Sequence, residues 1–179
     1  MIEVELSQGK IALIDDADFG LVSRHKWSAN KIGRGWYATT KIRRADGTRI
    51  TIKMHRMLLG LTDPKTFTDH IDGNGLNNQR ANLRACTRAE NGRNRGATCN
   101  NTSGFKGVSW HKGNRTWDAR IWVNGKNRCL GSFSTPEAAY AAYCAAALEL
   151  HGEFANFGTP PPKRWAKPSF EIIHTGAQR

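Results

Sequence analysis

The stretch GATCNNTSG at residues 96–104 limits what this chain can become. It is polar, built from small residues and free of apolar periodicity, and it falls just past the middle of 179 residues. A single large core cannot be laid across such a break. Each side must bury its own apolar residues, and these make up only 39% of the chain. The expectation is two small units: residues 1–95, then a linker at 96–104, then 105–158. A basic tail, 159–179, carries Pro160-Pro161-Pro162 and Lys163-Arg164-Trp165 and is expected to be extended or disordered, touching nucleic-acid backbone non-specifically.

Charge narrows the partner. The chain has 27 Lys and Arg against 15 Asp and Glu, a net +12, and the excess is spread along its length rather than held in the tail. With no run of roughly 18 apolar residues, no membrane span is expected. A basic chain without a hydrophobic anchor most simply meets a polyanion, and nucleic acid is the first candidate. The N-terminal MIEVELSQGK is polar and acidic, unlike a signal peptide, so an intracellular location is expected. Cys86, Cys99, Cys129 and Cys144 contain no C-x-x-C pair, which argues against a paired-knuckle zinc site and for reduced thiols.

The pattern of elements is α+β. KIALI (10–14), WYATTKI (36–42) and TRITIK (48–53) read as strands of a small antiparallel sheet, the last two joined by a hairpin turn at Asp46-Gly47. Trp27, Trp36 and Tyr37 are expected in its core or rim. MHRMLLG (54–60) reads as a short helix stopped by Gly60. TDHI (68–71) is a short β segment, followed by a turn-rich run of Asp, Asn and Gly. Thr87 and Glu90 have the spacing of a capping box, so a helix begins at Thr87, with Asn91 and Asn94 on one face. After the linker come three strands with turns at 112–114 and 124–126. An Ala-rich helix follows at 136–151, opened by Pro136 and closed by Gly152.

The run DHIDGN with its downstream asparagines carries the chemistry. Phosphodiester cleavage needs a base to activate water, a cation to stabilise the leaving oxygen, and an oriented base. Asp69 and His70 are adjacent on a strand, so their side chains point to opposite sides. They can flank one phosphate only if another element closes the site, and the helix opened by Thr87 is that element. Asn91 in its first turn offers an amide oxygen, and a carboxylate with an amide suits Mg²⁺ or Mn²⁺. Arg84, Arg88, Arg93 and Arg95 surround the segment and are expected to hold phosphates. Asp72, Asn74, Asn77 and Asn78 read as turn formers. The role of His55 stays open between support of the site, a phosphate contact and packing.

With MHR at 54–56, DHIDGNGLNN at 69–78, NLR at 82–84 and TRAEN with Asn94 at 87–94, the N-terminal unit resembles the HNH homing endonucleases, the ββα-metal nucleases. The resemblance covers roughly residues 10–95 and implies a ββα-metal core at about 54–95. It implies His70 as general base, Asn82 as the residue that braces the loop and orients the imidazole, and one divalent metal on Asp69 and Asn91. Asn94 would lie behind these ligands. It implies a metal-dependent nuclease acting on double-stranded DNA, nicking as a monomer, of the kind carried by phages and bacterial mobile elements. The rival is a DNA-binding regulator with an inactive nuclease fold.

The second unit has a basic sheet and a neutral-to-acidic helix. Ala119, Ile121 and Val123 alternate with Arg120 and Trp122, so the latter two point away from the helix. SGFKGVSW (103–110), WDARI (117–121), LGSF (130–133) and the helix 136–157 resemble the APETALA-two/ethylene-response-factor DNA-binding domain. That resemblance implies a three-stranded sheet packed on one helix and reading the major groove through Lys106, Ser109, His111, Arg120, Trp122, Asn127 and Cys129.

Overall fold

The computed structural model describes residues 1–33, 35–98 and 100–158. The basic-tail expectation for 159–179, and Cys99, lie outside these residues. The fold is α+β, in two compact units that divide between Arg95 and Gly96. Among the described residues, no helix is long and apolar enough to cross a membrane.

The first unit opens with β1 (Ile2–Glu5) and β2 (Ile11–Ile14), an antiparallel pair in which Ile2 faces Ile14. A single helical turn, α1 (Phe19–Val22), leads into β3 (Ser28–Ile32), β4 (Gly35–Arg43) and β5 (Arg49–Lys53). These form one antiparallel sheet in the order β3-β4-β5. The β4–β5 hairpin turns where Asp46-Gly47 is expected to turn it. Gly47 takes φ +82°, and the Asp46 carboxylate accepts from the Thr48 amide at 2.8 Å. The core collects Ala12, Ile14, Val22, Trp27, Ala29, Ala38, Met54, Leu58 and Leu83. Trp27 is a core residue whose indole N–H donates to the Val22 carbonyl at 2.9 Å.

The site elements hang on this core. Helix α2 (Met54–Leu58) follows β5 directly and sinks Met54, His55 and Leu58. It ends before Gly60, whose φ of +63° no helix continues. Then come β6 (Phe67–His70), β7 (Leu83–Cys86) and α3 (Arg88–Arg93). Strands β6 and β7 pair antiparallel, with Asp69 opposite Arg84 and His70 opposite Leu83, and α3 packs on β6. Helix α3 begins as its residues dictate. The Thr87 hydroxyl accepts from the Glu90 amide, while the Glu90 carboxylate accepts from the Thr87 amide.

The loop from Ile71 to Gln79 is fixed from two sides. On one, the Leu13 amide donates to the Leu76 carbonyl at 2.9 Å and the Asn78 amide donates to the Leu13 carbonyl at 2.7 Å. The Arg80 amide also donates to Asp15, and its guanidinium forks onto buried Asp18. On the other side, Gly75 lies flat against β4. A Cβ there would meet the Trp36 carbonyl at 2.5 Å and the Tyr37 ring at 2.6 Å, so no larger residue fits.

The second unit is a sheet of β8 (Val108–His111), β9 (Thr116–Val123) and β10 (Lys126–Phe133), in the order β10-β9-β8, backed by α4 (Pro136–His151). Val108, Ala119, Ile121 and Val123 meet Ala139, Tyr143 and Ala147 of the helix. The Thr135 hydroxyl caps α4 by accepting from the Ala138 amide, and Pro136 takes the first turn. Asn124 and Gly125 both have positive φ, 51° and 74°, as a two-residue hairpin turn requires.

Candidate active site

Asp69 and His70 leave β6 on opposite sides, as strand geometry demands, and both are buried, 4% and 6% exposed. Their surroundings differ in kind. Asp69 faces polar partners. Arg84 forks onto its Oδ2 with Nε at 2.9 Å and Nη2 at 2.6 Å, and the Asn94 amide donates to its Oδ1 at 2.9 Å. His70 faces rings. His55 lies 5.0 Å away, centroid to centroid, at 85°, and Tyr37 lies 5.9 Å away at 59°. Burial lowers the His70 pKa, and the Asn78 side chain and the carboxylates of Asp72 and Asp69 pull the other way. Burial, then the charge of His70, pushes His55 down to about 3, so it is neutral.

Asn94 joins the two halves. Its amide nitrogen donates both to Asp69 Oδ1 and to the His70 carbonyl at 2.9 Å, so the end of α3 is tied to both residues through one buried side chain. Asn91 sits one turn earlier, on the helix that packs against β6, and its backbone amide donates to the Thr87 carbonyl. The amide that touches Asp69 is therefore that of Asn94, not Asn91.

Two expectations about neighbours are corrected. Asn82 is hydrogen-bonded to the loop: its Oδ1 accepts from the Asp72 amide at 3.0 Å, and its Nδ2 donates to the Asn77 carbonyl at 2.8 Å and to Asp72 at 3.0 Å. It makes no hydrogen bond to the imidazole among the described contacts. The buried polar side chain beside that ring is Asn78, whose amide draws the His70 pKa upward against the effect of burial. Arg84 does not project toward solvent to hold phosphate. Its side chain is 12% exposed and committed to Asp69. Arg88 and Arg95 are exposed.

Sequence reasoning missed Tyr37 and the place of Asn78. The Asp69–Arg84 pair was within reach, because pairing TDHI with the strand after Asn82 puts those two residues opposite one another. The others required knowing how the loop lies on β4.

In the second unit, the sheet face away from α4 carries Ser109, Arg120, Trp122, Asn127 and Cys129, all exposed, and the strand register sets Asn127 opposite Trp122 and Cys129 opposite Arg120. Trp122 is 62% exposed. Arg120 Nη2 pairs with the nearly buried Asp118 at 3.2 Å, and the Ser132 hydroxyl donates to the same carboxylate. His111 is exposed at the end of β8, where its Nδ1 accepts from the Asn114 amide. Lys106 departs from expectation. Its ammonium donates to the Asn156 carbonyl at 2.8 Å and lies over the Tyr143 ring, so it points into its own unit, and burial lowers its pKa to about 8.

Residues 60–93, which span β6, the loop, β7 and α3, match the family model described as HNH endonuclease. These residues form an HNH endonuclease domain, and the activity it supports is that of a nuclease. It is 40% identical over 91 residues to Protein 3.8 of Escherichia phage T7, an alignment covering 51% of this chain and 74% of that protein. It is 29% identical over 154 residues to an uncharacterized HNH endonuclease of Acanthamoeba polyphaga mimivirus, covering 83% of this chain and 74% of the relative. The second alignment is longer than either unit, so it runs through both. No solved structure gives a significant match.

Proposed function

We propose that this chain is a metal-dependent DNA endonuclease that hydrolyses one phosphodiester bond per encounter, with His70 as general base and Asn82 as the brace of its loop. The observation that carries the reading is the division of labour on β6: a carboxylate in a polar setting and, one residue on, an imidazole in a ring-lined one. A lone general base contributes about 10²–10⁴-fold to such a reaction. The His70 ring, whose pKa burial depresses, is neutral near pH 7 and able to accept a proton from water.

The donor set suits a hard divalent cation. Asp69 supplies a carboxylate and Asn91 a neutral amide oxygen on the helix packed against it, and Mg²⁺ or Mn²⁺ takes such oxygens. Arg84 donates twice to Oδ2 of Asp69 and Asn94 once to Oδ1, and since a carboxylate offers about four lone pairs, the cation would take the remaining one on Oδ1. One such ion, when bound, stabilises the charge that develops on the leaving oxygen. Asn94 and Arg84 then hold the carboxylate in its working orientation.

We assign the exposed sheet face of the second unit to duplex DNA. Ser109, Arg120, Trp122 and Asn127 are its contacts, with His111 at the strand end and Arg88 and Arg95 reaching phosphate in the first unit. Lys106 is left out of this set because its ammonium is spent internally. The test is cleavage of supercoiled plasmid by the full chain with Mg²⁺ or Mn²⁺. Nicked circles are expected, with none in EDTA. His70→Ala should remove cleavage and leave DNA binding unchanged. Intact plasmid across metals and target sequences, with binding retained, would point to a regulator instead.

A further inference from the structure

His55 is a buried polar residue, 5% exposed, with no hydrogen-bond partner for Nδ1, and the cleavage chemistry above does not use it. Its ring lies edge-on to His70, 5.0 Å away at 85°, and to Tyr37, 5.7 Å away at 74°; Tyr37 in turn lies 5.9 Å from His70. The three rings close on one another. They come from three elements, β4, α2 and β6, so the cluster exists only when the sheet, the helix after it and the β6–β7 pair are assembled.

Each member is pinned by something other than the cluster. Tyr37 is wedged by the site loop, because Gly75 lies directly on its ring, and the Lys53 ammonium sits 5.7 Å over the same ring. His55 is carried by a helix whose flanking residues, Met54 and Leu58, are in the core. The backbone of His70 is held by polar contacts: its carbonyl accepts from Asn94 and from the Gly73 amide at 2.8 Å. Those contacts leave the ring free to turn. The torsion between Cβ and an imidazole is broad and soft, so a histidine in an open site samples many planes. Edge-to-face neighbours on two sides remove that freedom.

We propose that Tyr37 and His55 are positioning residues that clamp the plane of the His70 imidazole, so that its basic nitrogen stays aimed at the attacking water. This rests on the reading of His70 as the general base. It explains why a histidine can sit here with an unpaired nitrogen: the contribution is the ring. Burial keeps His55 uncharged, so it adds no repulsion when His70 takes up a proton.

The experiment uses the full chain on supercoiled plasmid with Mg²⁺ or Mn²⁺ and separates kcat from KM. His55→Ala and Tyr37→Leu should each lower kcat by about 10²-fold, the cost of a misaimed group, with KM within about twofold of wild type. His55→Phe should recover most of the loss, since it restores the ring without the nitrogens, and Tyr37→Phe should do the same for the second wall. If His55→Ala does not unfold cooperatively, His55→Leu against His55→Phe makes the same comparison. Wild-type kcat in His55→Ala or His55→Leu overturns the clamp, and so does a His55→Phe variant as impaired as the alanine variant. These failures are separable from failure of the underlying reading, which is shown by His70→Ala cleaving at the wild-type rate.

Discussion

Arg84 holds the carboxylate of Asp69 with two nitrogens on one oxygen, at 2.9 and 2.6 Å, from the facing position of the neighbouring strand. Both side chains are nearly buried. Breaking such a pair from one side strands a charge, which costs about 3–5 kcal/mol. Arg84→Met should therefore lower the unfolding free energy by about 3 kcal/mol in urea titration. Asp69→Asn combined with Arg84→Met should cost less than the sum of the singles, because no unpaired carboxylate remains. Additive losses would mean that the contact contributes nothing to folding.

Asn91 and Asn94 lie on one helix but should fail differently. Asn94 ties α3 to β6 through Asp69 and the His70 carbonyl. Asn94→Ala should cost about 1–3 kcal/mol of stability by leaving a buried carboxylate and carbonyl short of a donor, and lower cleavage with it. Asn91→Ala should leave the unfolding curve in place and raise the Mg²⁺ or Mn²⁺ concentration needed for half-maximal nicking by about 10-fold or more. A shared profile for the two variants would count against the metal role of Asn91.

Acid should find His55. Burial lowers its folded pKa to about 3 from the usual 6.5, so the unfolded chain binds more protons than the folded one between those values. The stability of the neutral buried ring is present above pH 6.5 and is lost as pH falls toward 3. His55→Phe has no such proton to take up. The gap in unfolding free energy between this variant and wild type should widen in favour of the variant by a few kcal/mol from pH 6.5 to pH 4, roughly 1.4 per pH unit. A gap independent of pH would show that His55 titrates normally.

Trp122 and Lys106 make opposite predictions within one unit. Trp122 is exposed on the sheet face. Trp122→Ala should leave thermal unfolding unchanged and weaken duplex binding about 10-fold, near 1.4 kcal/mol. Lys106→Met should leave the salt dependence of binding unchanged, because the ammonium is bound to Asn156. With its folded pKa lowered to about 8 against 10.5, the folded state holds fewer protons in that range, so wild type should gain stability relative to Lys106→Met as pH rises from 8 to 10. A binding slope shallower by about one in Lys106→Met would return this residue to the DNA face.

The chain order of chemistry was readable from residues alone. Thr87 and Glu90 specify where α3 starts, Asp46-Gly47 and Asn124-Gly125 specify tight turns, and Pro136 to Gly152 bounds α4, because each is a local rule of capping or backbone freedom. The alternation Ala119-Arg120-Ile121-Trp122-Val123 assigns the buried and exposed faces of β9 for the same reason. What surrounds Asp69 and His70 was not readable in this way. The Arg84 fork depends on the register of two strands that sets Asp69 against a residue fifteen positions later, and Asn78 faces His70 because β2 pulls the loop inward through Leu13. Tyr37 and His55 reach His70 from elements separated by long stretches of sequence. Lys106 reads as a surface cation until a carbonyl fifty positions later takes it. Capping, turns and strand alternation act over a few bonds, so residue order determines them. Ion-pair partners and ring neighbours are chosen by how distant segments pack, and only the folded chain decides those.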